Sequence, residues 1–186
     1  TVESAEPDRD VTVETTYTPD GAVATYTAKN PGTGDQTTTY VYGSWLLGSE
    51  TAPFEPQIYR SDLLRAVIYP DSDNTVANVE NGTGTYDRVE YQYNRLGQTA
   101  WTKDQNETVH EYIFDDLGRQ TIDKVTAFGT NIDQSVARIE RGYEVRGMVN
   151  RVTSYDDDDS GDVVNDVYRK YDAFGQLTRE YQNHNA

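Results

Sequence analysis

One phrase recurs along this chain and limits what it can fold into. Tyr93, Phe114, Tyr143 and Tyr171 each stand four residues before a glycine: Gly97, Gly118, Gly147 and Gly175. The residue after each aromatic is acidic or an amide (Asn94, Asp115, Glu144, Asp172). Behind the aromatics, Val89 and Tyr91, Ile139 and Arg141, and Val167 and Arg169 continue at period two. Tyr17 and Gly21, with Val13 and Thr15 behind them, make a fifth copy. Successive glycines of the last four copies lie 21, 29 and 28 residues apart. Self-similarity at such spacings is the mark of stacked supersecondary units.

Period-two patterning predicts strands, because alternate side chains then face one side of a sheet. The aromatic runs into a tight turn. Asp or Asn at the first turn position with Gly at the fourth is the type I signature. Asp115-Asp-Leu-Gly118 and Asp172-Ala-Phe-Gly175 carry it, and Thr18-Pro19-Asp20-Gly21 adds a proline whose φ is already suitable. The glycine is expected at positive φ, closing a bulged hairpin. Return strands are expected over Gln98 to Trp101, Arg119 to Ile122, Met148 to Val152 and Gln176 to Tyr181. The longest tips fall at Ala127 to Gln134 and Tyr155 to Asn165. No convincing amphipathic helix is present; the best stretch, Arg60 to Ala66, runs directly into strand-like Ala66-Val-Ile-Tyr69.

These phrases resemble the YD, or RHS, repeats of large secreted and surface proteins. Tyr91-Gln-Tyr-Asn-Arg-Leu-Gly97, Tyr112-Ile-Phe-Asp-Asp-Leu-Gly118-Arg119 and Tyr171-Asp-Ala-Phe-Gly175-Gln-Leu-Thr178 carry the likeness. Tyr40-Val-Tyr-Gly43 and the segment from Asp62 to Asp71 look like connecting phrases of such proteins. The resemblance covers most of Val13 to Asn183. It implies hairpins paired side by side into a spiralling sheet. In that family the sheet closes into a hollow shell around a toxin or, in animal relatives, forms a cell-adhesion module. Two departures stand out. The Pro- and Gly-rich core motif with catalytic aspartates has no counterpart after Gly175, and five or six hairpins are too few to close a shell.

Composition narrows the function. Apolar residues make up 35% of the 186, and Tyr (15) far outnumbers Phe (4) and Trp (2). A core of this kind is an aromatic ladder between strands, with hydroxyls kept at wet edges. A net charge of −16 argues against nucleic acid, whose phosphates need cationic neutralisation. It also disfavours anionic membrane surfaces, and no apolar run approaches a membrane span. Without cysteine there is no disulfide, thiolate nucleophile or sulfur metal site. Thr1-Val-Glu-Ser reads as a mature or excised start. An exported bacterial surface protein fits this profile, mainly on the family likeness.

The densest charge is Asp156-Asp-Asp-Asp-Ser-Gly161-Asp162. Asp156, Asp158 and Asp162, with Ser160 and Gly161, resemble the first half of a calcium loop, but Val167 stands where the bidentate Glu belongs. The competing reading is a solvated hairpin tip. Asp71-Ser-Asp73-Asn74 is a smaller version. His110 occupies a strand position and His184 is the only other imidazole. With no Gly-x-Ser-x-Gly elbow, a nucleophilic triad has no support. Trp45 and Trp101 are candidate sugar platforms, although Trp101 at a strand position suits core packing. Asn81-Gly-Thr83 and Asn106-Glu-Thr108 match the glycosylation sequon.

The sequence therefore leads to an all-β array of antiparallel hairpins, an open curved sheet or a section of a β-shell, as one array over residues 1–186. Regular repeats run over 13–25 and 85–183, with an irregular part at 26–84. Expected structural residues are the turn glycines Gly21, Gly97, Gly118, Gly147 and Gly175 and the aromatics Tyr17, Tyr93, Phe114, Tyr143 and Tyr171. No catalytic residue and no cofactor are assigned, apart from the calcium candidates. The expected role is structural, with exposed strand edges pairing with other copies or with flanking parts of a larger parent chain. The alternatives are a fragment of a toxin-encapsulating shell and a carbohydrate- or receptor-binding adhesion module.

Overall fold

The computed structural model describes residues 12–30, 32–43, 58 and 60–184. It is all-β. The strands are β1 Thr12–Tyr17, β2 Val23–Lys29, β3 Gln36–Tyr42, β4 Leu64–Ile68, β5 Val89–Tyr93, β6 Thr99–Lys103, β7 Val109–Phe114, β8 Gln120–Ala127, β9 Arg138–Tyr143, β10 Val149–Tyr155, β11 Val163–Tyr171 and β12 Leu177–His184. The twelve strands form one open antiparallel sheet whose spatial order is the chain order. The single helix among the described residues is α1, Val76–Asn81. The chain divides into two compact units, Thr1–Gln92 and Tyr93–Ala186.

The first unit holds β1 to β4, α1 and most of β5. Its turn after Tyr17 is a hairpin loop: Gly21 N donates to Thr18 O and Thr18 N to Ala22 O. The core is small, with Val41, Ala66, Ile68 and Val79 packed together where α1 lies against the sheet. The Arg60 to Ala66 stretch does not become a helix, since β4 begins at Leu64. The helix forms later, where Thr75 and Asn78 make a reciprocal capping box and Gly82 ends the turn at φ 61°. Six residues carry too little periodicity to reveal such a helix in the sequence. Arg88 is 2% exposed. It bridges Glu90 at 2.5 Å, Thr83 O at 3.0 Å and the side-chain oxygen of Asn74. Asn74 in turn donates to Thr85 O at 2.5 Å. This network ties the irregular loop to the foot of β5.

The second unit repeats one hairpin. At its second turn Asp115 N donates to Arg119 O and Gly118 N to Asp115 O, both at 2.9 Å. This is a type I turn followed by a left-handed residue, the three-residue hairpin connection whose last position favours glycine. Gly118 has φ 76°, and Gly21, Gly97, Gly147 and Gly175 lie between 77° and 88°. Burial is confined mainly to the start of this unit, at Ala100, Trp101, Thr108 and Val109, with Ala137 and Thr153 further on. Along β11 and β12 no described residue is buried.

Candidate assembly edges and turn rim

The acidic or amide residue opening each turn has a specific task. Asp115 Oδ1 accepts from Leu117 N at 3.0 Å and Arg119 N at 2.9 Å. Asn94, Glu144 and Asp172 accept in the same way from residues two and four positions on. Each side chain thus satisfies two amides that the bulged turn leaves off the strand ladder. Arg119 beside Asp115 and Arg146 beside Glu144 hold those carboxyls below their usual range.

A fifth turn of this geometry escaped the sequence reading. Asp104 accepts from Asn106 N and Thr108 N, and Glu107 N donates to Asp104 O. Here Glu107 takes the glycine position at φ 66°. The signal available was Asp at the turn's first position; the missing glycine hid it.

The turn aromatics reach sideways. Tyr143 Oη donates to Gln120 O and Tyr171 Oη to Val149 O, each at 2.6 Å. Both carbonyls lie before the point where backbone pairing with the next strand begins, at Ile122 and Arg151. The phenol therefore extends the ladder past its last backbone pair. Phe114 has no hydroxyl to do this. Tyr17, in the first unit, is exposed, and Tyr93 is half-buried on β5. A residue beside each of the first three turn glycines reaches the next turn. Gln98 Nε2 donates to Gly118 O at 2.7 Å. Arg119 stacks on the Tyr143 ring, 4.4 Å from its centroid. Arg146 donates to Asp172 O at 2.8 Å. These ties set the four turn tips of the second unit in a row along one rim.

One sheet face of this unit is laced by cross-strand charge. Lys124 meets Glu111 at 3.1 Å, and Arg151 meets Asp166 through two bonds of 2.9 and 3.0 Å. Tyr155 donates to Glu140, and Arg138 lies over the Tyr155 ring. A hollow of about 280 Å³ opens on this face between Ile122, Glu140, Gly142, Arg151, Thr153 and Tyr155. Glu140 and Arg151 are engaged in the pairs just described, whereas Arg141, which also lines the hollow, has a buried guanidinium nitrogen without a hydrogen-bond partner. On the opposite face His110 Nδ1 and Asp123 Oδ1 stand 2.8 Å apart. That hydrogen bond lifts the imidazole pKa above its ordinary value despite partial burial.

The acidic tip after β10 is folded onto itself. Asp162 N donates to Asp156 Oδ1 at 2.7 Å, and Asp157 Oδ1 accepts from Asp159 N and Ser160 N. Arg138 donates to the carbonyls of Asp158 and Asp159. A Cβ on Gly161 would fall 2.4 Å from Asp156 Oδ1, so the close approach demands glycine. Asp156, Asp158 and Asp162 are not drawn together, and among the described residues no group of three acidic or imidazole side chains is placed to hold a metal ion. Trp101 is buried, not presented as a platform. Trp45 lies outside the described residues. His184 ends β12.

The outer strands complete the picture. Among the described residues β1 pairs only with β2 and β12 only with β11. Leu177 to Asn183 are exposed on both faces. No helix among the described residues is long and apolar enough to cross a membrane.

No protein-family model matches the sequence, and no curated protein matches it. Solved structures do. A chain in the crystal structure of TcdB2-TccC3-Cdc42 matches at 14% identity and a TM-score of 0.59, over 91% of this chain and 7% of that one. A chain of TcdB2-TccC3-TEV matches at 12% identity and a TM-score of 0.48, over 96% and 9%. A chain of the Photorhabdus luminescens Tc holotoxin pore carrying the TccC3 D651A mutation gives 9% and 0.25, over 92% and 10%. The first of these likenesses identifies the fold. This chain spans a tenth or less of the length of the chains it matches.

Proposed function

We propose that this chain is a non-catalytic structural segment whose sheet is continued through β1 and β12, by flanking parts of a larger secreted or surface protein or by further copies. The observation that carries the reading is β12. It is an eight-residue strand, exposed on both faces, with one neighbour among the described residues. An unpaired row of N–H and C=O groups is a template for another strand. Repeat arrays bury each unit against its neighbours, so a short array gains stability from continuation. The fold likeness to a small part of a much longer chain favours continuation within a parent protein. Together with the shell-forming repeats that the sequence resembles, it also supports the second reading, a wall section of a toxin-encapsulating shell.

Association through these edges should tighten as salt rises, because copies carrying a charge of −16 repel over about 10 Å at 0.1 M salt. Deleting Thr1 to Tyr17 should abolish association through the first edge. Electron microscopy of the purified chain at low and high salt is the test. Filaments, or ordered oligomers that are lost on deleting Thr1 to Tyr17, support the edge reading. A dispersed monomer at every salt concentration removes the self-assembly form and leaves continuation within a parent chain.

A further inference from the structure

The four turn tips of the second unit carry bare apolar side chains. Leu96 is 72% exposed, Leu117 78%, Val145 102% and Phe174 90%. Type I turns favour polar residues at these positions, so four apolar tips in a row are unusual. Four such side chains form a ridge on the order of 500 Å², within the range of about 300–600 Å² reached by the largest, often functional, patch of a monomer. Gln98, Arg119 and Arg146 hold successive tips in line.

We propose that this rim is an isologous interface between two copies of the chain, tip to tip, with the two-fold axis between the second and third turns. Charge along the rim selects that register. Arg95 and Asp116 form no ion pair among the described residues, and Arg146 has one guanidinium nitrogen left beyond its bonds to Glu144 and Asp172. A two-fold axis at this place sets Asp116 against the copy's Arg146 and Arg95 against the copy's Phe174 ring. The first is an ion pair and the second a cation–π contact. Leu117 then meets the copy's Val145, and Leu96 the copy's Phe174. Hairpin spacing is regular, at roughly two strand separations of 4.8 Å, so the reversed order stays in step. Covering both ridges removes roughly 1,000 Å² of apolar surface, and the polar surround brings the total to about the 1,200 Å² of a small specific interface. Edge pairing plays no part in this contact.

Sedimentation velocity of the full chain across a broad concentration range tests the inference. The expected result is a monomer–dimer equilibrium whose dissociation constant rises at least about tenfold in Leu117→Asp/Phe174→Asp. Melting temperature at concentrations where both proteins are monomeric should be unchanged, since in the monomer both side chains already face water. Because the chain lacks cysteine, L117C mixed with V145C should oxidise to a cross-linked pair, while L117C alone should not. A monomer at every concentration overturns the proposal, and so does a dimer indifferent to the double substitution. A dimer lost on deleting Thr1 to Tyr17 yet kept in Leu117→Asp/Phe174→Asp is edge pairing, and also overturns it. A monomer that sediments with neutral phosphatidylcholine vesicles through these tips assigns the ridge to lipid and overturns the second copy. Self-linkage of L117C in place of linkage to V145C overturns the register.

Discussion

Tyr171 belongs to one hairpin and hydrogen-bonds the carbonyl of Val149 in the hairpin before it, at 2.6 Å. Tyr143 repeats the relationship with Gln120. Each phenol satisfies a backbone acceptor just beyond the reach of strand pairing, so the repeated aromatic serves as a joint between units. Removing one such hydroxyl should cost about 1 kcal/mol, the usual net value of a protein hydrogen bond. Tyr171→Phe and Tyr143→Phe should each lower the melting temperature. Phe114→Tyr should raise it, by adding the missing phenol at the equivalent place. Denaturation followed by circular dichroism checks the signs. Equal stability of all three variants would show that the hydroxyls contribute nothing.

The two kinds of turn predict opposite effects of glycine. Gly118→Val should destabilise by more than about 1 kcal/mol, because a β-branched residue at φ 76° is strained. Glu107→Gly should stabilise by roughly 0.5–1 kcal/mol, since Glu107 holds φ 66° at a side-chain cost. Its surface pair with Lys103, at 3.0 Å, contributes little to offset this. Chemical denaturation midpoints settle both.

Arg88 is a buried cation of the first unit with three polar partners. Arg88→Ala leaves Glu90 and the Asn74 oxygen buried without their donor. The expected cost is about 3–5 kcal/mol, the penalty for an uncompensated buried charge. Hydrogen exchange should show the loss in β4, β5 and α1, with the turns after β7 and β11 protected as before. Uniform loss across both units would refute that local role.

Stability should have two limbs in pH. The imidazole of His110 is raised by its bond to Asp123. Its contribution is complete below the unfolded histidine value, about 6.5, and disappears as pH rises through the higher folded value. The carboxyls of Asp115, Glu144 and Asp166 are held low by Arg119, Arg146 and Arg151. Their contribution is present above the ordinary carboxylate range and disappears as pH falls. His110→Gln should flatten the upper limb and leave the acid limb in place. Melting temperatures across this range test it.

How much was legible in the sequence varies by element. The hairpins of the second unit were, because glycine at a left-handed position and period-two aromatics leave local traces. The expected return strands over Arg119 to Ile122 and Gln176 to Tyr181 meet β8 and β12, which run further, to Ala127 and His184. Strand ends depend on partners, not on local residues. The turn at Glu107 was invisible because strain replaced the glycine signal. The Arg88 network was also invisible, since Asn74 and Thr83 reach it only through the fold of the loop. Among candidate sites, the Asp156–Asp162 spacing suggested ligands, but the Asp156 and Asp157 carboxylates accept from loop amides, a competition that spacing alone does not reveal. The rim was hidden for another reason: the sequence places Leu96 and Phe174 in turns, but the alignment of successive turns along one edge depends on how neighbouring hairpins pair.

Among the described residues, side-chain ties between hairpins of the second unit link immediate neighbours, as in Gln98 to Gly118, Tyr143 to Gln120, Arg146 to Asp172 and Tyr171 to Val149. None skips a unit. Length is thus an adjustable quantity in this architecture. A hairpin duplicated or lost in a gene brings its own turn, its own joint backwards and its own acceptor forwards, and the flanking repeats close over the change. Such a chain can be lengthened by recombination without redesigning a core, as a measuring tape is extended by adding graduations.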